Sequence, residues 1–196
     1  MHAGSAERAE PAAYPDVEAF DRDLMLVREY VAGAGALEAC RTTLDPFIAS
    51  VRAQGFHGFM MDVRDHADVH TAAVDDLLAG AGIQSNDGDT LRSLILGGRS
   101  LKDAERGTSA ETRRVLDTFR AIKTIQDEAG EPAASTYIVS MTRSPEDLLR
   151  ILLLARQTGL VELSGKKSRS RLDVVPLFET LDDLDHAPLV MGALLD

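Results

Sequence analysis

Two short β-forming runs, each passing into a helix without a linker, constrain this chain more than any other feature. The first, Ser135-Thr136-Tyr137-Ile138-Val139-Ser140-Met141, is dense in β-branched and aromatic residues. Ser144-Pro145-Glu146-Asp147 follows, with an N-cap serine, a first-turn proline and an acid at the third position. The helix so opened continues through Leu148 to Leu154 and is stopped by Gly159. The second run, Val174, Val175, Leu177 and Phe178, leads into Glu179-Thr180-Leu181-Asp182-Asp183 and a helical spacing of Leu184, Leu189, Val190, Ala193 and Leu194. Thr180 and Asp183 have the spacing of a capping pair. Strand, helix, strand, helix in succession is a βαβ pattern and requires a parallel sheet. Pro176, inside the second run, opposes a place in a central ladder.

The rest of the chain is mostly helical. Val17, Phe20, Leu24, Val27 and Val31 mark an amphipathic helix over Asp16 to Tyr30, stopped near Gly33 and Gly35. A second helix starts at Asp45-Pro46, turns Phe47, Ile48 and Val51 inward and ends at Gly55. Phe56 to Arg64 is short, apolar and without helical period; it reads as a buried strand that delivers Arg64 at its carboxyl end, with Met60 and Met61 as core filler. Helices are expected over His66 to Ala81, Leu91 to Leu96 (before Gly97-Gly98) and Ser109 to Ala129. Ser164 to Arg171 reads as a solvated basic loop. The fold class is therefore helix-rich α/β with about three parallel strands.

Composition limits the function classes. At 196 residues the chain can bury a proper core, and its 44% hydrophobic and 27% charged content is that of a globular protein. A net charge of −11 leaves no excess of cations for a nucleic-acid or anionic membrane surface. No apolar run approaches the roughly 18 residues needed to cross a bilayer. Residues 1–13, rich in Ala, Glu and Pro, read as a disordered lead-in without the apolar core of a signal peptide. The lone Cys40 rules out an internal disulfide and fits a reducing, cytoplasmic setting, as a small buried residue in a helix.

Most local motifs are uninformative. Gly33-Ala34-Gly35, Gly80-Ala81-Gly82 and Gly97-Gly98 lack the pattern of a phosphate loop. His66 and His70 stand four apart, but Ala67 occupies the position where a zinc protease carries Glu, so they read as solvated or locally paired. Ser140 has no flanking elbow glycines. What remains is Arg64 and Glu179, each at the carboxyl end of an expected strand, with Asp182 and Asp183 behind. A guanidinium offers bidentate bonds to phosphate or carboxylate, and a carboxylate beside it can hold Mg²⁺. Arg143, just after the first strand described above, is on the same favoured face and is given no role.

Three stretches resemble one family. Met61-Asp62-Val63-Arg64-Asp65, with His70 downstream, is similar to a D-I-R-Q segment of phosphoenolpyruvate carboxylases. Tyr137-Ile138-Val139-Ser140-Met141 followed by Asp147-Leu148-Leu149 resembles their Y-[IV]-I-S-M…D-[VL]-L stretch. Pro176-Leu177-Phe178-Glu179-Thr180-Leu181-Asp182-Asp183-Leu184 matches their P-L-F-E-T-L-D-D-L motif residue for residue. The similarity covers Tyr14 to Asp196, in the family's order. It implies a segment of a helix-embellished TIM barrel and an enzyme that joins bicarbonate to phosphoenolpyruvate, giving oxaloacetate and phosphate, with Mg²⁺ or Mn²⁺. Carried over by position, Glu179 is implied as a metal ligand and Arg64 as a contact to the substrate phosphate. Asp65 stands where the family usually has Gln, and an acid there opposes an anion.

The family's T-A-H-P-T-E, G-Y-S-D-S-x-K-D and F-H-G-R-G-G segments have no counterpart in this sequence, and with them the second metal carboxylate is missing. The expectation is therefore a partial chain, residues 14–196 forming a central barrel segment that is inactive alone. The rival expectation is a stand-alone, non-catalytic binding or assembly module. An interrupted sheet would expose an apolar edge, so a homo-oligomer is expected as well.

Overall fold

The structure is a computed structural model and describes residues 13–97, 99–164 and 167–195. The lead-in up to residue 12, Gly98, Gly165, Lys166 and Asp196 lie outside the described residues. The chain divides into two compact units, Met1–Phe59 and Met60–Asp196.

In the first unit, α1 (Val17–Gly33) is opened by Asp16, whose carboxylate accepts from the Ala19 amide at 2.7 Å. A short helix, α2 (Leu37–Ala39), runs on through a π-helical turn, Cys40–Leu44, into α3 (Asp45–Gln54). Ion pairs Arg28–Asp45 at 2.5 Å and Arg52–Asp21 at 2.7 Å tie α1 to α3. Cys40 is fully buried, as expected, and Ile48 is the buried residue of α3. Phe47 is not inward: it is 48% exposed, its ring edge-on to Phe20 at 6.2 Å. The helix presents a single face inward, and Ile48 rather than its neighbour occupies it.

The second unit carries the sheet. Its elements are β1 (Val63–His66), α4 (Ala67–Gly80), α5 (Gly88–Gly97), α6 (Lys102–Glu105), α7 (Ala110–Ala129), β2 (Thr136–Ser140) and α8 (Pro145–Thr158), followed by β3 (Val161–Ser164), β4 (Lys167–Ser170), β5 (Asp173–Pro176) and α9 (Leu181–Leu195). Strands β1, β2 and β5 form a parallel sheet in that order, with Val63 opposite Tyr137, His66 opposite Ser140 and Val139 opposite Pro176. The expected helix-rich α/β fold with three parallel strands is what the chain adopts. Ser144 with Asp147 forms the expected capping box on α8, which Gly159 closes in a left-handed conformation, and Ser109, the first residue of the helix expected to Ala129, is the N-cap of α7. The core lies between sheet and helices, around Leu77, Phe119, Tyr137, Val139, Ile151 and Leu154.

Pro176 finds a place because, among the described residues, β5 pairs with β2 alone and Pro176 is its last residue, so its missing N–H interrupts no ladder. Pairing resumes beyond it, where the Leu177 amide donates to the Val139 carbonyl at 2.9 Å.

Three further expectations are corrected. The strand read over Phe56 to Arg64 begins only at Val63, so Arg64 is its second residue rather than its end. Gly55 and Gly58, at φ +56° and +72°, turn the chain where extension was expected. Met60 and Met61, read as core filler, are 71% and 41% exposed. The basic stretch from Ser164 to Arg171 is no simple loop either: β4 pairs antiparallel with β3, Leu163 opposite Ser168 and Val161 opposite Ser170. Its Lys-Ser-Arg-Ser pattern carries no apolar alternation, which is why it read as solvated loop.

Candidate functional site

All three parallel strands contribute to the candidate site, Arg64 from the second position of β1 and the other residues from just past the carboxyl ends of β2 and β5. On β1, successive side chains alternate between faces, so Arg64 and Asp65 point to opposite sides. Arg64 is exposed, while Asp65 turns back to accept from the His66 amide at 2.8 Å. The acid that opposed an anion in the sequence therefore faces away from the arginine.

Glu179 follows β5 and directly precedes the N-cap of α9. Thr180 and Asp183 form the expected reciprocal cap: the Asp183 amide donates to Thr180 Oγ1 at 3.0 Å, and the Thr180 amide donates to Asp183 Oδ2 at 3.1 Å. These hydrogen bonds, the Thr180 hydroxyl's first, hold the Asp183 carboxyl below its ordinary range. Asp183 is thus committed to the helix, and Glu179 is presented beside it. Arg64 Nη2 donates to Glu179 Oε1 at 2.5 Å, their side chains 54% and 34% exposed. The two residues singled out in the sequence are brought together from opposite edges of the sheet.

Between them rises the end of the central strand, β2. Ser140 Oγ donates to the Asp65 carbonyl at 3.1 Å, tying β2 to β1. Met141 then takes φ +56°, a left-handed conformation that a side chain with a Cβ rarely accepts and that concentrates at functional sites. Thr142 is buried, its hydroxyl on the Val139 carbonyl at 2.8 Å and its amide on the Leu177 carbonyl at 3.2 Å. Arg143 emerges after it.

The histidine pair does not share a role. His66 caps α4, with Nδ1 accepting from the Asp68 amide at 3.1 Å. His70 is neither solvated nor locally paired: it is fully buried, with Nε2 2.7 Å from the Tyr137 hydroxyl. Burial, opposed by Asp65 and Asp147, pushes its imidazole down to about 4. Its Nδ1 has no hydrogen-bond partner among the described residues. Tyr137 stacks on Phe119 with centroids 4.9 Å apart, and burial raises its phenol well above the ordinary value. The signal was present, since His70, Ala73, Val74 and Leu77 fall at the three- and four-residue steps of a core-facing stripe.

The donor set can be tested against a divalent cation. Mg²⁺ uses one or two carboxylates and completes its octahedron with water and substrate oxygens. Among the described residues no three His, Cys, Asp or Glu side chains converge. Glu179 fits one ligand of such an ion; the set is no all-protein cage.

Comparison with known proteins bears on this geometry. The family model described as phosphoenolpyruvate carboxylase matches residues 1–196. The phosphoenolpyruvate carboxylase of Synechococcus sp. (strain ATCC 27144 / PCC 6301 / SAUG 1402/1) is 35% identical over 188 residues, covering 91% of this chain and 17% of that protein. That of Rhodothermus marinus is 34% identical over 202 residues, covering 95% and 22%. That of Burkholderia vietnamiensis (strain G4 / LMG 22486) is 31% identical over 190 residues, covering 91% and 19%. The chain spans between 17% and 22% of the length of these curated relatives.

Proposed function

The chain belongs to the phosphoenolpyruvate carboxylase family, and we propose that it supplies one portion of the site at which such an enzyme joins bicarbonate to phosphoenolpyruvate, giving oxaloacetate and phosphate. In this reading Arg64 binds the substrate phosphate and Glu179 is one protein ligand of Mg²⁺ or Mn²⁺. The three parallel strands are then part of a TIM-barrel-like sheet, and the setting is the cytoplasm. The observation that carries the reading is the 2.5 Å approach of Arg64, reaching from the second residue of β1, to Glu179, which lies just past the carboxyl end of β5, the end at which parallel α/β enzymes bind ligands.

The chemistry asked of these residues suits them. A guanidinium grips phosphate oxygens through paired N–H donors and stabilises the charge that builds there as the ester breaks. The divalent ion, when bound, supplies Lewis-acid stabilisation of anionic oxygens. The two side chains neutralise one another in the free chain, so an incoming phosphate draws Arg64 away and leaves Glu179 available. The half-exposed pair is cheap to separate, since exposed ion pairs are worth about 1 kcal/mol or less.

One carboxylate and one arginine do not make a turnover site, and these 196 residues by themselves should form no oxaloacetate. A coupled assay for oxaloacetate tests that, and a positive result overturns it. The site reading is tested on the same chain by titration with phosphoenolpyruvate. Arg64→Gln should abolish the weak binding that the wild type gives; undiminished binding would remove Arg64 from the site. Association into a homo-oligomer belongs to the same proposal.

A further inference from the structure

We propose that Arg143 is a second anion-binding residue of this site, reading a planar carboxylate-type group while Arg64 takes a phosphate; this rests on the reading of the site just given. Two ligands carry that chemistry in the proposed reaction, the carboxylate of phosphoenolpyruvate and bicarbonate.

Placement comes first. Arg143 stands three residues past Ser140, the last residue of β2, as Glu179 stands three past Pro176, the last residue of β5. The central strand therefore delivers an arginine past the same end of the sheet as Glu179, the residue that Arg64 reaches from the second position of β1.

The backbone beneath Arg143 is fixed. Thr142 is anchored through both its hydroxyl and its amide, and the Arg143 amide donates to Asp147 Oδ2 at 3.0 Å. Met141, held at φ +56°, turns the chain into this position at a conformational cost that plain loop closure would avoid. A rigid backbone carrying a long cationic side chain is how a binding residue is held ready without losing reach.

The guanidinium itself is uncommitted. Its ion-pair contact among the described residues is Asp68 Oδ1, 3.9 Å from Nη1 and beyond hydrogen-bond reach, with the two side chains 55% and 72% exposed. The structural arginines of this unit look different: Arg150 and Arg171 are 12% and 15% exposed and hydrogen-bonded to Asp147 and Asp127 at 2.8 and 2.6 Å. Asp183, whose carboxylate feels the Arg143 charge, is spent on its cap, and Asp147 is taken up by backbone amides and Arg150. A carboxylate arriving bidentate displaces only a long, exposed contact to Asp68.

The test titrates the 196-residue chain, R143Q and R64Q separately with phosphoenolpyruvate, inorganic phosphate and bicarbonate, following the arginine side-chain N–H resonances. R143Q should weaken phosphoenolpyruvate binding by about three- to tenfold while leaving phosphate within about twofold. Weakening confined to bicarbonate supports the same residue role and assigns bicarbonate as its ligand. The proposal is overturned if R143Q leaves both carboxylate-type ligands unaffected, if it weakens phosphate as much as phosphoenolpyruvate, or if the wild-type chain binds neither at millimolar concentration. R64Q reports on the underlying reading instead: phosphate binding untouched in R64Q sinks that reading whatever Arg143 does. Thermal melts of R143Q should match the wild type, because the side chain is exposed and holds no hydrogen-bonded partner among the described residues.

Discussion

Arg64 and Glu179, 115 residues apart in the chain, meet in a hydrogen-bonded ion pair at 2.5 Å that is only half shielded from water. Such a pair contributes little to the fold, because solvent screens it and two side chains must be ordered to make it. Arg64→Gln, Glu179→Gln and the double variant should each lie within about 1 kcal/mol of the wild type in urea denaturation, with a coupling of about 0.5 kcal/mol. A coupling several times larger would mean the pair is a structural clamp, and would count against both functional roles.

The same carboxylate is the proposed metal ligand, and divalent ions test it. Calorimetry with Mn²⁺ should show weak binding at best, since Glu179 is the one protein ligand proposed and among the described residues no three His, Cys, Asp or Glu side chains converge. Glu179→Gln should remove what binding there is, whereas Asp183→Asn should lower helix stability and leave Mn²⁺ untouched. Tight Mn²⁺ binding that survives Glu179→Gln would place the ion elsewhere.

His70 should give the fold a pH dependence. Its imidazole is held near 4 in the folded chain, against 6.5 for the free side chain, so the unfolded state takes up the proton first. Stability is therefore full above 6.5, falls as pH drops toward about 4, and loses nothing further from this group below that. The total is about 3 kcal/mol, because each pH unit between the two values is worth roughly 1.4 kcal/mol. Asp65 and Asp147, which favour the charged ring, and His66, which disfavours it, share the neighbourhood. The measurement is accordingly a difference: chemical denaturation of wild type and His70→Gln from about pH 7.5 to about 4.5. Parallel curves would show that His70 takes up its proton as readily folded as unfolded.

Much of this is legible in the residues alone. Asp16, Ser109, Ser144 and Thr180 name the starts of four helices because a side-chain acceptor before an apolar stripe is local chemistry, and the structure keeps all four. The parallel pairing of β2 and β5 follows from strand and helix alternating. What escapes depends on contacts distant in sequence or on backbone angles. His70 meets Tyr137 67 residues away, and nothing adjacent to it announces a buried ring. The start of β1 is misplaced because apolar residues from Phe56 to Met61 imitate a strand while Gly55 and Gly58 turn the chain. Arg143 is visible as a residue but not as an uncommitted cation, since that depends on how Met141 turns and what Asp147 holds.

Self-association is expected of the exposed apolar surface on α9 and β5. Leu181, Leu184, Leu189 and Leu195 are 81%, 55%, 71% and 80% exposed, and Val175 is 40% exposed on the edge strand β5. Apolar area of this kind on one helix favours burial against a second copy. Sedimentation velocity should show association rising with concentration, and Leu184→Glu with Leu189→Glu should reduce it. A wild-type monomer at every concentration would leave this surface without the predicted partner.

Asp147 should be the costliest acid to remove. Its carboxylate accepts from the Arg143 and Ser144 amides, both at 3.0 Å, and from Arg150 Nη1 at 2.8 Å, in a pair whose side chains are about one-tenth exposed. Asp147→Ala takes the acceptor from two amide donors and leaves the Arg150 charge, among the described residues, with the Asn86 side-chain oxygen alone, at 2.7 and 3.1 Å. Losing a helix cap costs about 1 kcal/mol and stranding a shielded charge costs more, so a loss of about 3 kcal/mol is expected in urea denaturation. Asp117→Ala is the control: that carboxylate, 67% exposed and paired with Arg120, should change stability by about 0.5 kcal/mol or less. Equal losses in the two variants would mean that water replaces Asp147 as readily as it replaces Asp117. The turn that carries Arg143 would then owe its position to Thr142 and Met141 alone.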